Sequence, residues 1–401
     1  MSRYFLIAAF LFVPPVLLAQ PPTAVPATAP AADAYPLYEK AANLLHDYSE
    51  QRHLWSPASS NLQYPHYPPF SDAWMSMEKT DYDGDAMIRE LVHKAAAVDR
   101  ADWPAVGFRD KVPVSRPYLG ECRALANELA DAATYQSIYL KNQPAAFQTL
   151  NDSEHMAELL GNQPGPDVIR DLVADAIIAL DTEISNIIVS GISIANDPAN
   201  HHDLPIATAR RWIERLMDHP TPEARLDTLM SSAFRLAREQ NSPFKTKQQY
   251  VASPKVAPTL PGLLKVLRLT NAERDLAAMS LAAHLYRFHH HRWPADIQEL
   301  ATELPSVPID PFGDGKQTLG YVLIPRGLPD GGHRPLVYSR DNSKDGLFYR
   351  TDYPEYDRYF GDGSKAPWDK QKQGGQFRDV ARWVPPKANP GPGPATRPIG
   401  P

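Results

Sequence analysis

The stretch Leu276-Ala277-Ala278-Met279-Ser280-Leu281-Ala282-Ala283-His284-Leu285-Tyr286-Arg287-Phe288, with the Pro308-Ile309-Asp310-Pro311-Phe312-Gly313 segment that follows it, decides the fold. Leu276, Ala277, Met279, Leu281, Ala282, Leu285 and Tyr286 fall at helical spacing, which predicts a helix over Asn271 to His290. Pro294 to Leu304 predicts a second, shorter helix that starts on proline, where the missing N–H costs nothing. Glycine and proline then become denser. Gly320 to Ile324, Pro335 to Ser339 and Gly346 to Tyr349 are short, β-branched or aromatic, and bounded by turn residues such as Asp330-Gly331-Gly332 and Asp341-Asn342. They predict three antiparallel strands packed on the helix.

Upstream the periodicity is helical. Tyr38, Ala41, Leu44, Leu45 and Tyr48 lie at helix spacing, as do Met87, Ile88, Leu91, Val92 and Ala95 after the N-cap candidate Asp85. Asp167 to Ile194 carries the widest apolar stripe, from Ile169 to Ile188, and is expected to be the central, most buried helix. Trp212, Ile213, Leu216 and Met217, then Leu226 to Ala237, continue the pattern across Pro220 and Pro222. Cys122 to Tyr139 and Ala145 to Leu160 resemble a tetratricopeptide hairpin, but no such unit repeats at a fixed period. Short loops imply antiparallel neighbours, so the expected fold class is mainly α: an irregular helical-hairpin array followed by a small α+β module with a short antiparallel sheet.

Proline marks the boundaries. It makes up 41 of 401 residues and concentrates at Pro21 to Pro36, Pro65 to Pro69, Pro254 to Pro261 and Pro385 to Pro401. Arg3, the apolar run Tyr4 to Leu18 and the small residue Ala19 read as a secretory signal. That run is shorter than the ~20 apolar residues of a spanning helix, and Pro14-Pro15 interrupts it. Retention as an uncleaved N-terminal anchor is the weaker alternative, because Leu17 is large for the cleavage pattern. The expected organisation is a signal at 1–19, a disordered Ala/Pro-rich spacer at 20–34, a helical domain at 35–270, an α+β module with an aromatic-rich extension at 271–384, and a disordered Pro/Gly tail at 385–401. The expected location is the periplasm or the extracellular space, with no stable membrane span once the signal is removed.

Charge and cysteine content narrow the function classes. A formal charge of −6 leaves no basic surplus to replace phosphate counterions, which argues against nucleic acid as a partner. The lone cysteine, Cys122, cannot close an internal disulfide and reads as a small buried apolar residue in a helix.

The C-terminal residues carry a family resemblance. Tyr286-Arg287-Phe288, Arg292-Trp293-Pro294, Ile297, Leu300, Val307 to Phe312, Tyr321, Leu336-Val337-Tyr338-Ser339-Arg340-Asp341 and Lys344-Asp345-Gly346 resemble a module of uncharacterised, secreted or membrane-anchored bacterial proteins. In that group a helical region precedes an end similar to the globular half of the type II secretion major pseudopilin. The resemblance covers roughly Asn271 to Tyr349 and implies an architecture and a compartment, but no activity. Residues Met1 to Gln20 lack the pseudopilin order of short leader, glycine cleavage site, phenylalanine and glutamate, so processing and polymerisation as a pilin are not expected.

The resemblance also implies calcium in a C-terminal loop. Asp341, Asn342, Ser343 and Asp345 bring oxygen donors together, as a hard cation requires. Two readings stay open there, a calcium site and a hairpin turn in which Asp and Asn cap their own backbone, with Lys344 weighing for the turn. Asp310 reads as a structural turn residue. His289, His290 and His291 are consecutive at a helix end, cannot converge on one ion while helical, and read as a solvated terminus favoured by the helix dipole. His201-His202 reads as a loop. Asp81, Asp83 and Asp85 read as a loop that complements the N-terminus of the following helix.

No nucleophile elbow, phosphate-binding glycine loop or paired-histidine zinc motif occurs in the sequence. A site dispersed over several helices would escape such a search. Tyr64, Tyr67, Phe70 and Trp74 among prolines, and Tyr349 to Phe360, read as loops pinned by their own rings or as peptide- or glycan-docking surfaces. The expected function is an exported, non-catalytic scaffold or interaction protein of the cell envelope with a protein partner. The alternative is an exported, hydrolase-like enzyme with a dispersed site in a helical cleft.

Overall fold

A computed structural model describes residues 32–52, 72–104, 108–109, 112–113, 117–163, 167–189, 192, 194–195, 203–239, 242–313, 315–324, 334–341 and 378–383. In chain order the elements are α1 (Tyr35–Arg52), α2 (Asp72–Gly84), α3 (Ala86–Ala95), β1 (Phe108–Arg109), β2 (Val112–Pro113), α4 (Pro117–Ile138), α5 (Gln143–Asn162), α6 (Val168–Val189), β3 (Ile194–Ala195), β4 (Leu204–Pro205), α7 (Ile206–Met217), α8 (Pro222–Glu239), α9 (Lys247–Val251), α10 (Leu260–His290), α11 (Ile297–Leu300), β5 (Gly320–Ile324), β6 (Arg334–Asp341) and β7 (Arg378–Trp383). The described chain is thus mainly helical with a small antiparallel sheet. It divides into two compact units, residues 1–185 with 219–273 and residues 186–218 with 274–401. The signal at 1–19, the tail at 385–401, Tyr64 to Phe70 and Tyr349 to Phe360 lie outside the described residues.

In the first unit α4 occupies the centre. Apart from the half-buried Asn127, every residue from Leu125 to Ser137 is buried, so this helix is enclosed on all faces. The expected central helix, α6, instead leaves Ile169 exposed and most of its Leu172 to Leu180 segment only half-buried. The α4–α5 hairpin closes tightly: Lys141 takes the left-handed conformation (φ 55°), and the Asn142 side chain caps α5 by accepting from the Ala145 N–H at 3.1 Å. Tyr38, Ala41 and Ala42 of α1 pack against α4, and Ile88, Leu91, Val92 and Ala95 of α3, which packs on α1 and α5, join the same apolar cluster. Trp103 stacks between Tyr38 (5.4 Å) and Tyr118 (5.8 Å). The predicted α3 stripe holds except at Met87, which is exposed. The last residues of the expected spacer are ordered: Ala34 is fully buried and donates to the Arg100 carbonyl at 2.8 Å, while Asp33 accepts from the Asp102 N–H.

A second cluster in this unit joins Val168, Leu229, Met230, Ala233, Tyr250 and Leu267, from α6, α8, α9 and α10. Helix α10 begins at Leu260, well before the predicted Asn271, because Pro261 sits in its first turn, where the helix tolerates it.

In the second unit β5, β6 and β7 form an antiparallel sheet in that order. β5 and β6 lie where the sequence places them. The third strand is Arg378–Trp383, with Leu336 opposite Trp383, whereas the predicted Gly346 to Tyr349 lies outside the described residues. The short helix, Ile297–Leu300, continues as a 3-10 turn over Ala301–Glu303, close to the predicted end, and starts later than Pro294 because Asp296 caps it, accepting from the Glu299 N–H at 3.0 Å. Gly320 faces Tyr338 across the ladder, and a Cβ there would run into the Tyr338 ring. Asp310 is buried, and its Oδ1 accepts from the Phe312 N–H (3.0 Å) and from the Ser339 hydroxyl (2.7 Å), tying the turn to β6. Among the described residues no helix is long and apolar enough to cross a membrane.

Two substitutions probe this unit. Asp310→Ala strips both donors of their acceptor and should cost about 2–3 kcal/mol in urea unfolding. Ser339→Ala should cost about 1 kcal/mol, with strong non-additivity in the double variant. Gly320→Ala should destabilise as well, since the buried Tyr338 ring has to shift.

Candidate functional site

The α2–α4 interface concentrates buried acid. Glu78 and Asp81 fall three apart on one face of α2, Asp85 follows at the α2–α3 junction, and Glu128 and Asp131 repeat the three-residue step on α4. Their exposures are 0, 6, 1, 4 and 1 % respectively. Asp85 occupies the N-cap position of α3 yet makes no side-chain capping bond. Instead it is hydrogen-bonded to the Glu128 carboxyl. Neither Glu78 oxygen has a hydrogen-bond partner among the described residues.

Among the described residues Arg89 is a cation that acts on Glu78. Arg89 of α3 lies with its guanidinium 3.7 Å from the Tyr82 ring centroid and donates Nη2 to the Tyr82 carbonyl at 2.6 Å, and it acts electrostatically on Glu78. Burial, then Asp81 and Asp85, push the Glu78 carboxyl up to about 8 against the opposing pull of Arg89. Burial, then Asp85, Asp131 and Glu78, hold Glu128 well above the carboxylate range too. Removing a carboxylate from water disfavours its charged form, and neighbouring carboxylates add to the effect. A polar belt continues from there: the Tyr82 hydroxyl accepts from Gln136 Nε2 (3.2 Å), and Gln136 Oε1 accepts from the Thr149 hydroxyl (2.8 Å).

Asp81, Asp83 and Asp85 therefore correct the sequence reading. Asp81 and Asp83 belong to α2 rather than to a loop, Asp83 faces outward and pairs with Lys79, and Asp81 and Asp85 face inward. Glu128 and Asp131 were missed, although their three-residue spacing inside an alanine-rich helix was available as a signal.

The other predicted residues fall as follows. Asp341 ends β6 opposite Arg378, and the remaining calcium candidates Asn342, Ser343 and Asp345 lie outside the described residues, as do His201 and His202. Asp310 is the structural turn residue expected. The three histidines diverge and are exposed, as expected of a solvated terminus, and His289 is in addition held by the buried Glu303, 2.7 Å from its Nδ1, which also accepts from Arg210 at 3.2 Å. His290 stacks on Tyr286 at 4.1 Å, and His291 leaves the helix with φ 56°. His284 is fully enclosed beside Trp293 and is pulled down to about 3 by burial, then Arg287, so it stays neutral. Cys122 is buried and its thiol is raised by burial, which makes it a poor nucleophile. No group of three or more His, Cys, Asp or Glu among the described residues is arranged to hold a metal ion.

A groove of about 400 Å³ lies between α1 and α4, lined by Ala42, Asn43, Leu45, His46, Gly120, Glu121 and Ala124. Burial and then Glu39 raise Glu121, while His46 lowers it. No protein-family model, curated protein or solved structure matches this chain.

Two measurements test this electrostatic picture. Arg89→Met, which removes a cation acting on Glu78, should destabilise the protein by about 2–3 kcal/mol above pH 8, where Glu78 is ionised, and by less at neutral pH and below, where it is protonated. In the native protein Cys122 should resist iodoacetamide and react only on unfolding.

Proposed function

We propose that the protein is an exported, non-catalytic scaffold or interaction protein of the cell envelope, working with a protein partner. The observation that supports this reading is the sealing of a set of five carboxyl groups at the α2–α4 interface. Glu78, Asp81, Asp85, Glu128 and Asp131 are all buried, so no substrate meets them without parting α2 from α4. Ligand and catalytic sites are open clefts with a few convergent polar groups. The compartment rests on Arg3, the Tyr4 to Leu18 run and Ala19, and the proposed pseudopilin-like character of the C-terminal unit rests on its order of helix, Asp310 turn and antiparallel strands.

The competing reading, an exported hydrolase, draws on the α1–α4 groove, where His46 and Glu121 share one wall set. Fusion of residues 1–40 to a reporter active only outside the cytoplasm should give activity, and an inactive fusion removes the export reading. The purified chain should hydrolyse no ester, peptide or glycoside reporter. Turnover that disappears in His46→Ala and Glu121→Gln would replace the scaffold with the enzyme.

A further inference from the structure

The groove between α1 and α4 has a floor of small residues and an acidic end. Ala42, Gly120 and Ala124 line it, and a Cβ added at Gly120 would meet nothing within 4 Å. Leu45 adds an apolar wall. The half-buried Glu121 of α4 lies close enough to the exposed Glu39 of α1 for the two carboxyls to repel each other. Tyr35, one turn before Glu39, donates its hydroxyl to Glu39 Oε1 at 2.9 Å and also feels Glu121. We propose that this groove docks a short segment of a partner protein carrying an arginine or lysine beside an apolar residue. The cation enters between Glu39 and Glu121, and the apolar side chain lies on Leu45. The inference rests on the interaction-protein reading above and names the chemistry of the partner.

What points to a cation is the charge left unanswered at this end. Other glutamates of the chain are paired internally: Glu90 with Lys94, Glu223 with Arg268 and Glu299 with Arg292. Among the described residues neither Glu39 nor Glu121 forms an ion pair. Lys40 and Arg123 are exposed but stand one and two positions further along the two helices, where side chains point to other faces. His46 draws Glu121 down with less effect than burial and Glu39 have in raising it. A guanidinium or ammonium between the two carboxylates removes their repulsion, and the partial burial of Glu121 strengthens that attraction over one at an open surface.

Other occupants fit worse. An acidic segment would add to the repulsion. A second copy joined about a two-fold axis would bring the same two acids against themselves. The groove, about 400 Å³, is within the range of ligand clefts and takes a few side chains rather than a whole helix face.

Fluorescence anisotropy of a labelled peptide with a leucine, arginine, leucine core between glycines, added to the full-length chain, tests the docking. Binding should saturate, weaken as salt is raised, and fall at least about tenfold when citrulline, a neutral isostere, replaces the arginine. Gly120→Leu should abolish binding by filling the groove, while its thermal midpoint stays at or above that of wild type because leucine is the better helix former. Glu121→Gln should weaken binding about tenfold, and Glu39→Gln by less, since Glu39 is the more exposed. Glu90→Gln should bind like wild type, which separates the groove from the general negative charge of the chain. Should Gly120→Leu fail to fold, Glu121→Gln serves in its place. The docking proposal is overturned by absence of saturable binding, by equal binding of the citrulline peptide, or by binding untouched in both the Gly120 and Glu121 variants; with the peptide intact, each of these leaves the interaction-protein reading standing. Cleavage of the peptide, read by mass spectrometry, overturns that reading as well.

Discussion

Withdrawing a carboxyl group from water favours its neutral form, and the first unit is built around that constraint. Its central helix is enclosed on all faces from Leu125 to Ser137, yet carries Glu128 and Asp131 in that stretch. Ala130, Ala132 and Ala133 keep the helix slim enough for α1, α2 and α5 to close around it, and that closeness strips the acids of solvent. The apolar and acidic parts of α4 are therefore coupled. Tight packing of the first makes the ionisation of the second expensive.

The second unit meets the same constraint differently. Asp310 is as dry as Glu78, but a backbone N–H and a serine hydroxyl are placed to receive its charge. Glu303 is likewise received by His289 and Arg210. Through these hydrogen bonds both acids fasten turn, helix and strand. Glu78 has no such donors among the described residues, and burial raises its carboxyl to about 8. Two buried carboxyls at similar exposure thus do opposite things, and the difference lies in the neighbouring backbone rather than in the residue type.

Much of the fold was legible because it rests on local signals. β5, β6, the later part of α10 and the Asp310 turn follow from alternation, helical spacing and turn chemistry. The failures share a physical cause. Pro261 was read as a break because proline's tolerance in a first helical turn depends on where the helix starts, and Leu260 gave no cap signal. β7 pairs with β6 across a long intervening segment, and register of that kind is not written in either strand alone. The acidic site was hidden by the assumption that charge marks the solvated face: Glu128, Asp131, Thr134, Gln136 and Ser137 made α4 look half-exposed and drew attention to the more apolar α6. Burial of a charged residue is set by what packs against it, and α1, α2 and α5 reach α4 from separate parts of the sequence.

The single cysteine gives that hidden site more weight. A chain with one thiol has no internal disulfide to hold α2 in place once its acids ionise. Among the described residues its ties include the Tyr82–Tyr135 ring contact, the Gln136–Tyr82 hydrogen bond and the Tyr48 hydroxyl on the Thr80 carbonyl at 3.2 Å, each worth about 1 kcal/mol or less net. A dry carboxylate costs several kcal/mol. That cost exceeds any one of these ties, which is why burial holds the carboxyls of Glu78 and Glu128 in their neutral form above the ordinary carboxylate range.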